Sequence, residues 1–166
     1  MNDRPWFAIA ERNLEHLQKT QSSKEVETRR LLSEPILAAI GYDPWDVEAE
    51  NRIEAEMNIE SAGQAGGKGR ADYVLYAAKV PYIALEIKAA GIILTDSDAR
   101  QVCDYCNYSH PNIRWEVLTN GEDWRLFNNS KQGPIEQRRI FDWSLKREHW
   151  KMIYLSGPSI RGILRS

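Results

Sequence analysis

The 166-residue sequence predicts an α/β fold, one domain with a central mixed β-sheet flanked by helices. Three observations predict it. Two stretches of helical periodicity occupy residues 5–40, ahead of any strong strand pattern. A hairpin pattern then runs from Arg70 to Lys88. After it, a third helical stretch at 96–108 is followed by two further strand-like runs around an Asn-Gly turn. No internal repeat and no linker divides the chain, so residues 1–166 read as a single domain.

Residues 5–20 form the first predicted helix, with Phe7, Ala10, Leu14 and Leu17 on one stripe. Ser22 and Ser23 offer an N-cap for a second helix, in which Thr28, Leu31, Leu32, Ile36 and Ala39 follow the 3.6-residue period. Gly41 stops it, and Pro35 should kink it or force a restart after Ser33. Val47 to Glu54 is expected as a strand, and Gly63–Gly69 as a flexible loop entering the hairpin. Thr95 or Asp96 caps the third helix. Ile113 to Leu118 reads as a buried strand, Asn120-Gly121 as a tight turn, and Asp123 to Phe127 as the returning strand. Gln137 to Phe141 adds another strand. Residues 144–166 read as a basic helix and tail, helical over 145–155.

Composition sets limits on function. An apolar content of 42% with six Trp and seven Tyr excludes a disordered chain. No uncharged run approaches a membrane span, and the N-terminus lacks a signal-peptide layout. Two cysteines give no disulfide framework, so a cytoplasmic protein without membrane association is expected. The net charge is −2, unevenly spread: residues 131–166 carry +5 and the first 130 carry −7. A basic end suits a phosphate backbone and an acidic cluster suits a metal, although a charge run alone is usually a solvated face.

The hairpin holds the most informative residues. Folded about Lys79, it pairs residues whose numbers sum to 158. Asp72 then faces Glu86, Arg70 faces Lys88, and Val74 faces Ala84. Residues two apart share a face, so Ala71, Tyr73, Leu75, Ile83, Leu85 and Ile87 form an apolar side. The other side gathers Asp72, Glu86 and Lys88. Two like charges opposed across strands are destabilising. A divalent cation removes that penalty, and Mg²⁺ takes one or two carboxylates plus water and substrate phosphate. The competing expectation is a solvated hairpin face with surface ion pairs.

Other candidates surround this cluster. Glu25 either completes a capping box with Ser22, or points from its helix toward the sheet and the Asp72/Glu86 pair. Gln101 and Tyr105 share a face of the third helix with Asp98 and Tyr108, where amide and phenol groups suit phosphate or base contacts. Cys103 and Cys106 fall on that helix's small apolar stripe and read as buried free thiols, not zinc ligands. The Gly63–Gly69 loop has Ala62 and Gly69 where a phosphate-binding loop needs Gly and Ser or Thr, so ATP binding is excluded.

Taken in order, these segments resemble the PD-(D/E)xK nucleases. The closest likeness is to the N-terminal nuclease domain of the restriction subunit of type I restriction–modification enzymes. The resemblance rests on Glu25–Leu32 with Gly41-Tyr42-Asp43, Gly69–Tyr76, Ala84–Ala89, Gln101–Tyr105, and Leu118–Gly121 with Trp124 and Leu126, within residues 22–143. Ala71 replaces the proline of the family's name.

The resemblance implies a restriction-endonuclease-like sheet and Mg²⁺- or Mn²⁺-dependent cleavage of DNA. Asp72, Glu86 and the backbone carbonyl of Ile87 would be metal ligands, Lys88 would orient or activate water, and Glu25 would assist at the metal. Gln101 and Tyr105 would lie beside the DNA, with Arg70 and Arg100 holding its backbone. Type I restriction subunits continue into a translocase, so a separate translocase or restriction–modification subunits are implied partners. The alternative is a non-catalytic nucleic-acid-binding or assembly module on the same scaffold.

Overall fold

In the computed structural model, residues 5–21, 24–45, 51–60, 68–77, 79–108 and 113–146 are described. Residues 63–67 of the expected Gly63–Gly69 loop and 147–155 of the expected helix lie outside them; Lys68 and Gly69 belong to a strand instead, and Leu145 and Lys146 form a turn.

Six strands make one sheet in the order β1-β2-β3-β4-β5-β6. They are β1 (Ile53–Glu60), β2 (Lys68–Ala77), β3 (Val80–Ile87), β4 (Trp115–Thr119), β5 (Asp123–Asn128) and β6 (Arg139–Ser144). All neighbours are antiparallel except β3 and β4. Those two are parallel because α4 (Asp96–Tyr108) carries the chain back over the sheet between them. The mixed α/β architecture predicted from the sequence is thus present.

Helices cover both faces. Against one face, Leu37 of α3 (Glu34–Ala39) packs with Tyr42, Tyr73, Leu75, Ile83, Leu85 and Ile87. Under α4, Val102 and Cys106 pack on Ala71, Val74, Tyr76 and Ala84, while Cys103 and Ala99 pack on Leu118 and Phe127. The hairpin therefore has no bare side, which overturns the solvated-face expectation. Helix α1 (Pro5–Thr20) lies against α3 through Ala10, Leu14 and Leu17, as its stripe predicts.

The second helix is three segments in succession: α2 (Glu25–Thr28), a π-helical stretch Arg29–Ser33, and α3. Pro35 lacks the amide that would bond to the Leu31 carbonyl, and Asn13 Nδ2 donates to that oxygen at 2.8 Å instead. The restart after Ser33 follows. Gly41 (φ +93°) ends the helix in the left-handed region. The cap differs from expectation: Lys24 precedes the first helical residue and makes no side-chain cap bond. Glu25 takes that first position, not the third that a capping box needs, and Ser22 lies outside the described residues.

Two strand boundaries also differ. The strand expected at Val47–Glu54 lies instead at Ile53–Glu60, where Ile53, Ala55, Met57 and Ile59 alternate with polar residues. Residues 46–50 lie outside the described ones. Residues Ile135–Arg138 form the short helix α5, so β6 starts at Arg139 and not at Gln137. Among the described residues no helix is long and apolar enough to cross a membrane.

Candidate active site

The site lies where β2 and β3 part. Their register is Tyr73 to Leu85, Val74 to Ala84 and Leu75 to Ile83, each pair summing to 158 as predicted, with a one-residue shift nearer the turn. Lys79 (φ +72°) makes that turn. The ladder ends at Tyr73–Leu85, one residue short of Asp72 and Glu86, and β2 continues paired only with β1. Asp72 and Glu86 are therefore not a ladder pair, and Arg70 pairs with Asn58 of β1, not with Lys88.

Separation of the strands would leave the Ile87 amide without a backbone acceptor. Asp72 Oδ2 accepts it at 2.7 Å, which fixes the carboxylate beside the residue that follows Glu86. Lys88 N–H donates to the Thr119 carbonyl of β4 at 2.7 Å. Neighbouring residues of a strand turn their polar groups to opposite edges, so the Ile87 carbonyl is aimed at the gap that holds Asp72. Lys88 Nζ donates to Glu86 Oε1 at 2.9 Å, both side chains being mostly buried.

The electrostatics are those of carboxylates short of positive charge. Burial pushes the Asp72 carboxyl upward, with Glu25 adding to the rise; the Ile87 amide, Arg29 and Lys88 oppose it. Glu86 is raised first by burial and also by Asp72 and Glu25, while its hydrogen bond and ion pair with Lys88 oppose the rise. Burial works to lower Lys88, but the Glu86 bond and the charges of Glu86, Asp98 and Glu25 outweigh it and raise its pKa. The ammonium form is favoured.

A hard divalent cation is one remedy for such a pair. Asp72 and Glu86 each commit one oxygen to a donor and keep a second. Among the described residues no cluster of three or more His, Cys, Asp or Glu is placed to hold an ion. Two carboxylates with the Ile87 carbonyl would suit Mg²⁺ or Mn²⁺, the remaining positions being taken by water or phosphate.

Glu25 is exposed at the start of α2, and its charge reaches Asp72, Glu86 and Lys88. Uninterrupted 3.6-residue phasing would turn Glu27 away from the apolar stripe, yet Glu27 Oε2 is buried. The π-helical stretch inserts one residue and shifts the phase of everything before it.

Gln101 is exposed on α4; the side chains of Tyr105 and Arg70 lie outside the described residues. Arg100 pairs with Glu136 of α5 at 3.6 Å, which draws it toward α5. Cys103 and Cys106 are buried and not joined in a disulfide, and burial raises both thiols.

Two contributors were missed. Arg29 stands one turn after Glu25, lies 6.0 Å from the Tyr73 ring and favours the charged form of Asp72. It also approaches the buried Glu34 at 3.9 Å, which accepts the Tyr73 hydroxyl at 2.6 Å. Its i, i+4 spacing from Glu25 was the available signal. Asp98 is the second. It is held at the start of α4 by Thr95, whose amide and hydroxyl donate to Oδ2 at 2.9 and 2.6 Å, and its charge supports the Lys88 ammonium.

Residues 24–138 match the family described as the type I restriction enzyme R protein N terminus. Two solved structures share the fold. One is a DrdV–DNA complex determined by cryo-electron microscopy, 12% identical over 98% of this chain and 13% of that one, with a TM-score of 0.57. The other is a fragment of a putative HsdR subunit of a type I restriction enzyme from Vibrio vulnificus YJ016. It is 20% identical over 69% of this chain and 25% of that one, with a TM-score of 0.50. At these identities the likeness concerns the fold, and the chain spans a quarter or less of either neighbour. No curated protein matches. The family match takes in α2, the hairpin, α4 and the β4–β5 pair, the elements that build the site just described, and the chain belongs to the family of N-terminal regions of type I restriction enzyme R proteins.

Proposed function

We propose that this chain is a metal-dependent deoxyribonuclease of restriction or defence type, hydrolysing DNA phosphodiester bonds with Mg²⁺ or Mn²⁺. The observation that carries the reading is the convergence of Asp72, Glu86 and Lys88 where β2 and β3 separate. Asp72, Glu86 and the Ile87 carbonyl would hold the cation. When bound, it supplies charge that polarises a phosphate oxygen and acidifies water.

The chain's own residues divide the rest of the work. Asp72 is fixed by the Ile87 amide, so the cation position is set by the backbone. Lys88 stays protonated, which makes it a donor that orients water and balances charge developing on the phosphate, not a base. Glu25 adds negative charge near Asp72 and Glu86, and Arg29 opposes the rise that burial gives the Asp72 carboxyl. Gln101 and Tyr105 on α4 would contact the nucleic acid near the break. Other restriction–modification subunits would be its protein partners.

Incubation of the purified protein with duplex and single-stranded DNA and Mg²⁺ or Mn²⁺ tests this. Cleavage is expected, lost on chelation and reduced by about 10²-fold or more in Lys88→Ala. Absence of metal-dependent cleavage, with DNA binding retained, would favour a non-catalytic binding or assembly module.

A further inference from the structure

The strand register extends the site sideways along one face of the sheet. Glu86 of β3 stands beside Leu118 of β4, Leu118 beside Arg125 of β5, and Arg125 beside Asp142 of β6. Residues paired across strands share a face, and here it is the face under α4, where Leu118 and Phe127 pack. Strands lie about 4.8 Å apart, so the backbone of Arg125 is roughly 10 Å from that of Glu86. Asp98, at the start of α4, feels the charges of both Lys88 and Arg125, so the two cations flank one acid. Arg125 is not consumed by the fold. Its side chain is 23% exposed, and among the described residues it makes no hydrogen bond. The acid it pairs with, Asp142, is exposed and lies 3.8 Å from Nε, while Arg139 approaches the other oxygen of Asp142 at 3.6 Å. Two guanidinium groups thus share one carboxylate, which leaves one positive charge over in that trio.

Resting on the nuclease reading, we infer that Arg125 grips a backbone phosphate of the DNA strand held at Lys88, with Arg139 next on the same path. Three points favour a DNA phosphate as occupant. Arg125 lies in the same ladder row as Glu86, so a strand leaving the site across β4 meets it next. The rise per nucleotide in one strand is about 3.4 Å, so roughly 10 Å sets the contact about three nucleotides from the break. A guanidinium offers five N–H donors in a planar fork that matches phosphate oxygens, and a loose, partly exposed ion pair to Asp142 adds little to the fold that would otherwise explain it. Such a contact fixes the register of the strand without reading its sequence.

The experiment follows duplex binding in chelator by anisotropy across a salt series, for wild type, Arg125→Gln, Arg125→Lys, Asp142→Asn and the Arg125→Gln/Asp142→Asn double variant. Cleavage at low substrate with Mg²⁺ over the same series gives a second readout. Arg125→Gln is expected to bind more weakly at low salt, with a log–log slope shallower by about 0.9. Arg125→Lys keeps the charge and should keep the slope. Asp142→Asn frees Arg125 and should tighten binding, a gain that vanishes in the double variant. An unchanged slope in Arg125→Gln overturns the contact, and so does a gain that survives in the double variant. If Arg125→Gln fails to fold, Asp142→Asn decides: unchanged affinity assigns the arginine to a structural ion pair and overturns the proposal. Wild type that binds and cleaves DNA with the slope unmoved by Arg125→Gln removes this contact alone. Wild type that neither binds nor cleaves DNA removes the nuclease reading as well.

Discussion

Asp72 does two jobs with one carboxylate. It closes the hydrogen-bond account of a strand whose partner has departed, and it offers its other oxygen to the site. The first job leaves Asp72→Asn foldable, since an amide oxygen still accepts the Ile87 amide. The second gives a pH signature. Asp72 and Glu86 both have raised pKa values in the folded protein, so that state binds more protons than the unfolded chain. Metal-free stability should fall as pH rises from the ordinary carboxylate range, about 4, through the raised values, and stay low above them. Thermal melts in chelator from about pH 4 to 7 check this, and Asp72→Asn is expected to flatten the decline. Asp98 is lowered and works in the opposite sense, so the slope reports the sum. A cation takes the place of the lost protons. Its stabilising effect should therefore grow with pH in wild type and shrink in Asp72→Asn.

At the scale of elements, the site depends on α2 being fastened to the turn after Lys88. Thr28 Oγ1 accepts the Ala90 amide at 2.7 Å and donates to the Lys24 carbonyl at 3.2 Å, so one hydroxyl joins the helix bearing Glu25 to the strand bearing Lys88. Thr28→Val keeps the shape and strands a buried amide, a cost of about 1–3 kcal/mol. Urea denaturation measures that loss. Cleavage by the folded variant is expected to drop further than stability alone explains, because Glu25 and Lys88 lose their common anchor. Thr28 was legible only as a stripe position. Apolar alternation on both sides of Lys79 fixed the hairpin register in advance, but the end of its ladder depends on β2 leaving with β1. That departure is a tertiary event with no local signature. The phase of Glu27 differs for a similar reason: Pro35 announces a disturbance, yet the π-helical stretch that absorbs it relies on Asn13 from another helix.

For the whole molecule, a sheet covered on both faces leaves the parted end of β2 and β3 as the place where buried carboxylates meet solvent. The family was readable from the order of weak motifs, each placed by its element: acid on α2, acid on β2, acid on β3 with lysine just beyond it, glutamine on α4. The ion pair of Arg100 was not readable, since its partner Glu136 comes from a short helix that the sequence pattern did not reveal. DNA held through phosphates should bind with strong salt dependence, its affinity falling linearly on a log–log plot against salt. Fluorescence anisotropy across a salt series checks this; a flat response would remove phosphate contacts from the account.

Crystals grown or soaked with Mn²⁺ address the shared site most directly, through anomalous scattering from the ion. The account predicts one strong peak within about 2.3 Å of an oxygen from each of Asp72 and Glu86, with Lys88 Nζ nearby and no such peak in Asp72→Asn. Saturating Mn²⁺ with no peak between the two carboxylates, or a peak that survives Asp72→Asn, would contradict it.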